Sequence, residues 1–301
     1  MEKIKISIGI PVYNGEKFLT GKILSILNQN YSDFELIISD NGSTDSTKQI
    51  CEKFALEDKR IRFFSHEKNL GPNWNFNFIL QKAEGEYFMW TAVDDKILDG
   101  FIRKNLDILE KKSNIVCCAS QVKYFGMKTE NLKKRTYKSF IKKIVDRFQN
   151  LQNYSASGTF ESKFRYYLKL RGHHHIFFGM YRTIQLKKIL VVDKKLSIHF
   201  DLVTMLNTLR FGDIHVIDEI LMERYDDGLS AKGFFNYKKS NKLNFIQAIS
   251  YNYPFTKWSF KNFGYTICLK NLDLFIIWNL EPLFFLIIDI IRKINYMEKM
   301  R

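Results

Sequence analysis

Residues 4–12 (IKISIGIPV) form an apolar run with short polar interruptions, and a second such run, FELIISD, begins at Phe34. Between them Leu19, Ile23, Ile26 and Leu27 recur at the spacing of one helix face. This order of strand, helix and strand constrains the chain more than any other feature it carries, because it makes a βαβ unit. The spacing predicts a first strand that stops at Pro11, a loop at YNGEK and a helix over 18–29. Further on it predicts a helix over 44–59 (TDSTKQICEKFALEDK), a short strand over 61–66 (IRFFSH), a helix over 73–85 (NWNFNFILQKAEG) ended by Gly85, and a strand over 86–93 (EYFMWTAV).

Parallel α/β sheets collect ligands beyond the carboxyl ends of their strands, where loops vary and helix N-termini point. Three polar clusters fall at such ends: Tyr13 with Asn14, Asp40 to Asp45, and Asp94 with Asp95. Two adjacent carboxylates after an apolar run can hold Mg2+ or Mn2+, which prefer oxygen ligands and leave room for phosphate. On an extended strand they cannot point the same way, so one would ligate while the other bonds a ribose or shapes the turn. In DNGSTD, Ser43, Thr44 or Asp45 can cap the next helix, whereas Asp40 can accept hydrogen bonds from a base or sugar. The chain has no G-x-G-x-x-G and no G-x-x-x-x-G-K-[ST], so a dinucleotide dehydrogenase or a P-loop nucleotidase lacks its phosphate cradle.

The formal charge of +15 attracts polyanions: nucleic acid, an anionic membrane surface or a phosphorylated substrate. Residues 128–147 hold eight basic and two acidic side chains, the pattern of an exposed or mobile insertion. Cys51, Cys117, Cys118 and Cys268 have no C-x-x-C spacing and read as buried thiols of a reducing compartment. The charged N-terminus lacks the apolar run and cleavage site of a signal peptide, which implies a cytoplasmic protein. Three consecutive histidines at 173–175 face different directions and suit no zinc site, although His175 is a candidate for acceptor or donor contact.

Residues 272–291 (LDLFIIWNLEPLFFLIIDII) contain no lysine or arginine. As one helix they would be about 30 Å long, enough to cross a bilayer. Asp273, Asn279, Glu281 and Asp289 would be costly in hydrocarbon, and Pro282 disturbs the middle. Two short apolar helices at the interface, with Lys270, Arg292, Lys293 and Lys299 near anionic headgroups, fit better. Ordinary packing on the globular domain is the alternative.

In this order the motifs strongly resemble a known family. SIGIPVYNGEKFLTGKILSILNQNYSDFELIISDNGSTDST is similar to the start of family 2 glycosyltransferases, inverting enzymes with a GT-A fold, and NLGPNWNFNFILQKAEGEYFMWTAVDD continues into that family's aspartate motif. The resemblance weakens through the basic middle and returns at FFGMYRT and over 197–230. It implies a Rossmann-like α/β domain over 1–230, with a mixed, mainly parallel sheet flanked by helices. Within it, 1–98 would bind the nucleotide sugar, 128–147 would be the basic insertion, and 170–230 would face the acceptor. Residues 231–301 would form a helical, membrane-associating extension.

Carried over by position, the resemblance implies that Pro11, Val12, Tyr13 and Asn14 border the nucleotide and that Asp40 contacts the uracil or ribose. Asp95 would ligate Mn2+ or Mg2+, with Asp94 facing the nucleotide sugar or sharing the metal. Family members often have a third acidic residue where this chain has Val93. Asp201 matches the acceptor-side acid, often preceded by Glu where this chain has Phe200, and would act as general base; alternatively it caps a helix beginning at Leu202. Arg224 and Tyr225 fall where a basic residue often lies near the donor diphosphate, with a surface salt bridge as the other use of Arg224.

The function implied is transfer of a sugar, from a nucleoside diphosphate donor of the UDP type, to a glycan or lipid-linked acceptor in bacterial surface polysaccharide or oligosaccharide synthesis. The enzyme would sit peripherally on the inner face of the cytoplasmic membrane. Two other classes remain open. A basic nucleic-acid module has charge and aromatics in its favour but no recognisable motif, and Val93 leaves room for a non-catalytic assembly partner.

Overall fold

The structure is a computed structural model that describes residues 4–125, 154–170, 175–189, 196, 199–225, 250 and 252–283. Its centre is an eight-stranded mixed sheet in the order β3-β2-β1-β4-β7-β6-β8-β5. The strands are β1 (Ile6–Val12), β2 (Phe34–Asp40), β3 (Ile61–Ser65), β4 (Tyr87–Trp90), β5 (Lys96–Ile97), β6 (Ile115–Phe125), β7 (Met180–Arg182) and β8 (Asp213–Tyr225). The first four run parallel to one another, as the alternation of strand and helix requires. β7 is antiparallel to both β4 and β6, and β8 runs parallel to β6.

Helices α1 (Glu16–Leu27), α2 (Thr47–Glu57), α3 (Pro72–Lys82) and α4 (Phe101–Lys111) make the crossovers of the first half. Helices α5 (Phe160–Lys169), α6 (Thr183–Ile189) and α7 (Phe200–Thr208) follow, then α8 (Tyr253–Phe263), α9 (Tyr265–Leu269) and a helical segment over 272–283. β1 and β2 are buried almost throughout, which is why they read as apolar runs rather than as alternating strands.

Three local expectations are corrected. Pro11 lies inside β1, opposite Ser39 of β2. On the other flank, pairing to β4 ends at Gly9 and Trp90, so the missing N–H of Pro11 breaks no ladder there. α3 ends at Lys82, before Gly85. Gly85 instead lies against β1, where a Cβ would come 2.5 Å from Ser7 N and 2.7 Å from Ile6 C. The strand before the aspartate pair ends at Trp90, and Asp94 and Asp95 lie in the turn that follows, closed by Asp95 N donating to Ala92 O at 3.3 Å. The basic stretch 128–147 and residues 284–291 lie outside the described residues.

Within 272–283, Leu274, Phe275 and Trp278 are buried and pack on the domain. Phe275 meets Phe164 of α5 and Phe255 of α8, and Trp278 Nε1 donates to Leu168 O at 2.9 Å. The other face carries exposed Leu272, Ile276, Leu280 and Leu283. Among the described residues, no helix is long and apolar enough to cross a membrane.

The two glycines that differ most in surroundings give a paired test. Gly85→Ala drives a methyl into the β1 backbone and should cost about 1–3 kcal/mol, lowering Tm by roughly 2–10 °C. Gly21→Ala, in α1 with nothing within 4 Å of its added Cβ, should raise Tm slightly through helix propensity. Thermal unfolding followed by circular dichroism reads both; equal shifts in the two variants would refute the packing role of Gly85.

Candidate active site

The carboxyl ends of β1, β2 and β4 bring the three polar clusters of the first half to one edge of the sheet. Val12 stands opposite Asp40 in the β1–β2 register, and Thr91 N, just past β4, donates to Gly9 O at 2.9 Å. Asn14 takes a left-handed backbone with φ 52°, which asparagine tolerates. Its N–H donates to Ser43 Oγ at 2.8 Å, and its Oδ1 accepts from Thr44 N at 2.9 Å. The loops after β1 and β2 are thereby stitched into one surface, with half-exposed Tyr13 at its rim.

Asp40 is buried at the base of that surface. Its Oδ1 accepts from Ser43 N at 3.0 Å, and its carbonyl accepts from His66 N at 3.0 Å. Beside it, the Asn41 amide donates to Asn69 Oδ1 and Gly71 O and accepts from Leu70 N, anchoring the loop between β3 and α3. Of Ser43, Thr44 and Asp45, it is Asp45 that meets an open amide of the next helix, its Oδ1 accepting from Thr47 N at 3.1 Å. Ser43 Oγ holds Asn14, Asp45 holds Thr47 and Glu16 N, and the N-cap of α2 is Ser46.

Asp95 is the most enclosed carboxylate of the aspartate turn, 4% exposed, while Asp94 is half-buried. Arg224 Nε lies 3.1 Å from Asp95 Oδ2, and Tyr225 N donates to Oδ1 at 3.3 Å. Burial raises the Asp95 carboxyl above the usual carboxylate range, against the pull of Arg224 and Lys22. Arg224 also donates from Nη1 to His175 Nδ1 at 2.9 Å and lies over the Phe178 ring at 4.4 Å. Because a guanidinium only donates, His175 is neutral with its proton on Nε2, which faces Tyr124 Oη. The structure therefore joins Asp95, Arg224, Tyr225 and His175 in one cluster.

Asp201 lies in the first turn of α7, which begins at Phe200, so it is not the N-cap; that position belongs to His199. Asp201 Oδ1 accepts from Leu202 N at 2.8 Å. The preceding Phe200 packs against Phe177 and Phe76, and Phe177 stacks on Trp90 with ring centroids 4.6 Å apart. This aromatic cluster fixes the start of α7 against the end of β4, the strand that leads into the aspartate turn.

Lys22 was not foreseen. It is 3% exposed on α1, and its Nζ donates to Asp95 O at 2.9 Å from behind the turn. Burial pushes its ammonium down to about 8, against the fields of Asp95 and Asp94. Its position three residues after Leu19 and four before Ile26 was the available signal, since it places a lysine on the apolar face of its helix.

A divalent cation fits this turn on two grounds. Asp95 Oδ2 is buried with no hydrogen bond, balanced by charge alone. Two carboxylates are also sufficient protein ligands for Mg2+ or Mn2+ when waters and phosphate oxygens complete the shell. Among the described residues, no group of three His, Cys, Asp or Glu side chains is placed to hold a metal by itself.

The family model for glycosyl transferase family 2 matches residues 7–188. An uncharacterized glycosyltransferase of Haemophilus influenzae is 41% identical over 104 residues, 35% of this chain and 42% of that protein. The GalNAc(5)-diNAcBac-PP-undecaprenol beta-1,3-glucosyltransferase of Campylobacter jejuni is 36% identical over 111 residues, 36% of this chain and 35% of that protein. The chain thus spans well under half the length of these relatives. Among solved structures, S. aureus TarS 1-349 in complex with UDP-GlcNAc aligns at TM-score 0.56 and 23% identity, covering 73% of this chain and 58% of that one. The mannosyltransferase PcManGT from Pyrobaculum calidifontis, in complex with GDP-Man and Mn2+, aligns at TM-score 0.56 and 12% identity, covering 92% and 72%. At these identities the structures speak for the fold, and the family match over more than half of the chain makes this protein a family 2 glycosyltransferase.

Proposed function

We propose that the protein transfers a sugar, with inversion, from a UDP-linked donor to a hydroxyl of a glycan or lipid-linked acceptor in bacterial surface polysaccharide or oligosaccharide synthesis. The observation that carries this is the convergence of Asp40, the Tyr13–Asn14 loop and the Asp94–Asp95 turn on one sheet edge, with Asp201 set against that edge by the Trp90–Phe177–Phe200 cluster. Pro11, Val12, Tyr13 and Asn14 border the nucleotide, and Asp40 accepts from the base or ribose. Asp95 and Asp94 would hold Mn2+ or Mg2+, which when bound offsets the charge of the diphosphate. Asp201 accepts the proton of the acceptor hydroxyl as its oxygen attacks the anomeric carbon opposite the leaving diphosphate, so one displacement inverts that centre. Arg224 and Tyr225 line the diphosphate side, and His175 acts through Arg224. TarS in complex with UDP-GlcNAc supports a uridine donor, and the undecaprenol-linked acceptor named for the Campylobacter jejuni relative supports a lipid-linked one.

Asp201→Asn should lower kcat by about 10²- to 10⁴-fold while leaving the Kd for UDP within about twofold. Asp40→Ala should do the reverse, weakening UDP binding more than kcat. Calorimetry and product analysis by NMR across a panel of nucleotide sugars read both, and an Asp201→Asn enzyme with undiminished turnover would remove the base from this scheme.

The exposed apolar face of 272–283 supports seating on the inner face of the cytoplasmic membrane. Ile276 is 52% and Leu280 55% exposed, with Lys257, Lys261 and Lys270 exposed nearby in sequence. The pair Ile276→Glu and Leu280→Glu should release the protein from phosphatidylglycerol vesicles in a flotation assay without changing Tm. Retention of the double variant on the vesicles would rule out this face.

A further inference from the structure

Arg224 fills a place that a divalent cation would also need. Asp95 turns Oδ1 to Tyr225 N and Oδ2 to Arg224 Nε, so both oxygens of this enclosed carboxylate face the last two residues of β8. Oδ2 accepts no hydrogen bond, and the charge nearest to it is the guanidinium of Arg224. Behind the turn, Lys22 already donates to the Asp95 carbonyl. A metal at the carboxylate beside Arg224, with Lys22 on the carbonyl of the same residue, would put three positive groups around Asp95, and they would repel one another at short range, where water screens least. Arg224, in contrast, has a second anchor that is independent of Asp95. Its Nη1 donates to neutral His175, and its plane rests on Phe178. An arginine held this way can give up one ionic partner without losing its place beside the site.

We infer that Arg224 is an internal counter-ion of Asp95 that competes with the divalent cation for that carboxylate, and that its displacement frees the guanidinium for the diphosphate arriving with the donor. Metal and arginine thus exchange partners in one event. Metal alone binds weakly, because it must displace a cation that has nowhere better to go; metal with nucleotide binds well, because the displaced cation finds a new anion. This makes Arg224 the residue that couples the two ligands. The inference rests on Asp95 being the metal-side carboxylate of the proposed transferase.

The test separates the two ligands and needs no turnover. Arg224→Met keeps the apolar stem over Phe178 and removes the charge. Mn2+ binding without nucleotide is followed by electron paramagnetic resonance, and UDP binding at saturating Mn2+ by calorimetry. The variant should bind Mn2+ alone about tenfold more tightly and UDP about tenfold more weakly, opposite shifts within the usual range of coupling between sites. Arg224→Lys, which keeps a charge without the fork that reaches both Asp95 and His175, should shift Mn2+ binding in the same direction by less, and it carries the test if Arg224→Met does not fold. Unchanged or weaker Mn2+ binding in whichever variant is folded overturns the competition. Wild-type protein that binds neither Mn2+ nor UDP overturns the transferase reading and this inference together. Wild type that binds both, with a variant in which both affinities move the same way, overturns this inference alone.

Discussion

The buried carboxylate of Asp95 is the point on which the two halves of the molecule meet. It belongs to the turn after β4, yet its oxygens face Arg224 and the Tyr225 amide at the end of β8, and its carbonyl takes the ammonium of Lys22 from α1. Taking such a charge out of water costs several kcal/mol unless partners compensate, and removing one partner leaves the rest uncompensated. The end of β8, 130 residues later in the chain, is brought beside the aspartate turn by its pairing with β5, which begins at the residue after Asp95, and the Asp95 carboxylate adds polar ties to that ladder. For the proposed metal and diphosphate this is an advantage, since polar ties can be exchanged for ligand contacts whereas a packed apolar contact cannot.

Apolar packing does the complementary work one layer below. Trp90 ends β4 and stacks on Phe177, while Phe76 of α3 and Phe200 of α7 close around the pair. Each of these rings is next to, or a few residues from, a polar group at the sheet edge, so the cluster sets distances that the polar side chains cannot set for themselves. The rigid part is shared between the nucleotide half and the helix that carries Asp201. The two carboxylates assigned opposite tasks therefore rest on one aromatic support.

The first half of the fold was legible because its strands are buried on both faces and its crossovers are amphipathic, so period and length agree. Element ends were less so. Pro11 continues a strand because one flank of β1 has no partner at that point, a fact of sheet order that no local signal contains. Gly85 reads as a helix stop but answers to the β1 backbone. The antiparallel β7 and the long β8 went unread, as their pairing is set by neighbours far away in sequence. In the site, motif order pointed to Asp40, Asp94, Asp95 and Asp201 as separate positions. It could not show that Arg224 is bound to Asp95, since that depends on the β5–β8 register, nor that Lys22 sits beneath the turn.

The C-terminal helices are connected to the candidate base by a polar relay. His199, the N-cap residue of α7, bonds through Nε2 to Asn252 Oδ1 at 2.6 Å, and Asn252 Nδ2 donates to Trp278 O at 2.6 Å. Because Asn252 spends its amide donor on Trp278, the His199 proton must lie on Nε2. His199 also stacks on Phe255 of α8. The segment 272–283 is thus linked through Asn252 to His199, two residues before Asp201, while Ile276 and Leu280 are exposed. The helix that turns Ile276 and Leu280 outward is thus the same one whose Trp278 carbonyl anchors the relay to His199.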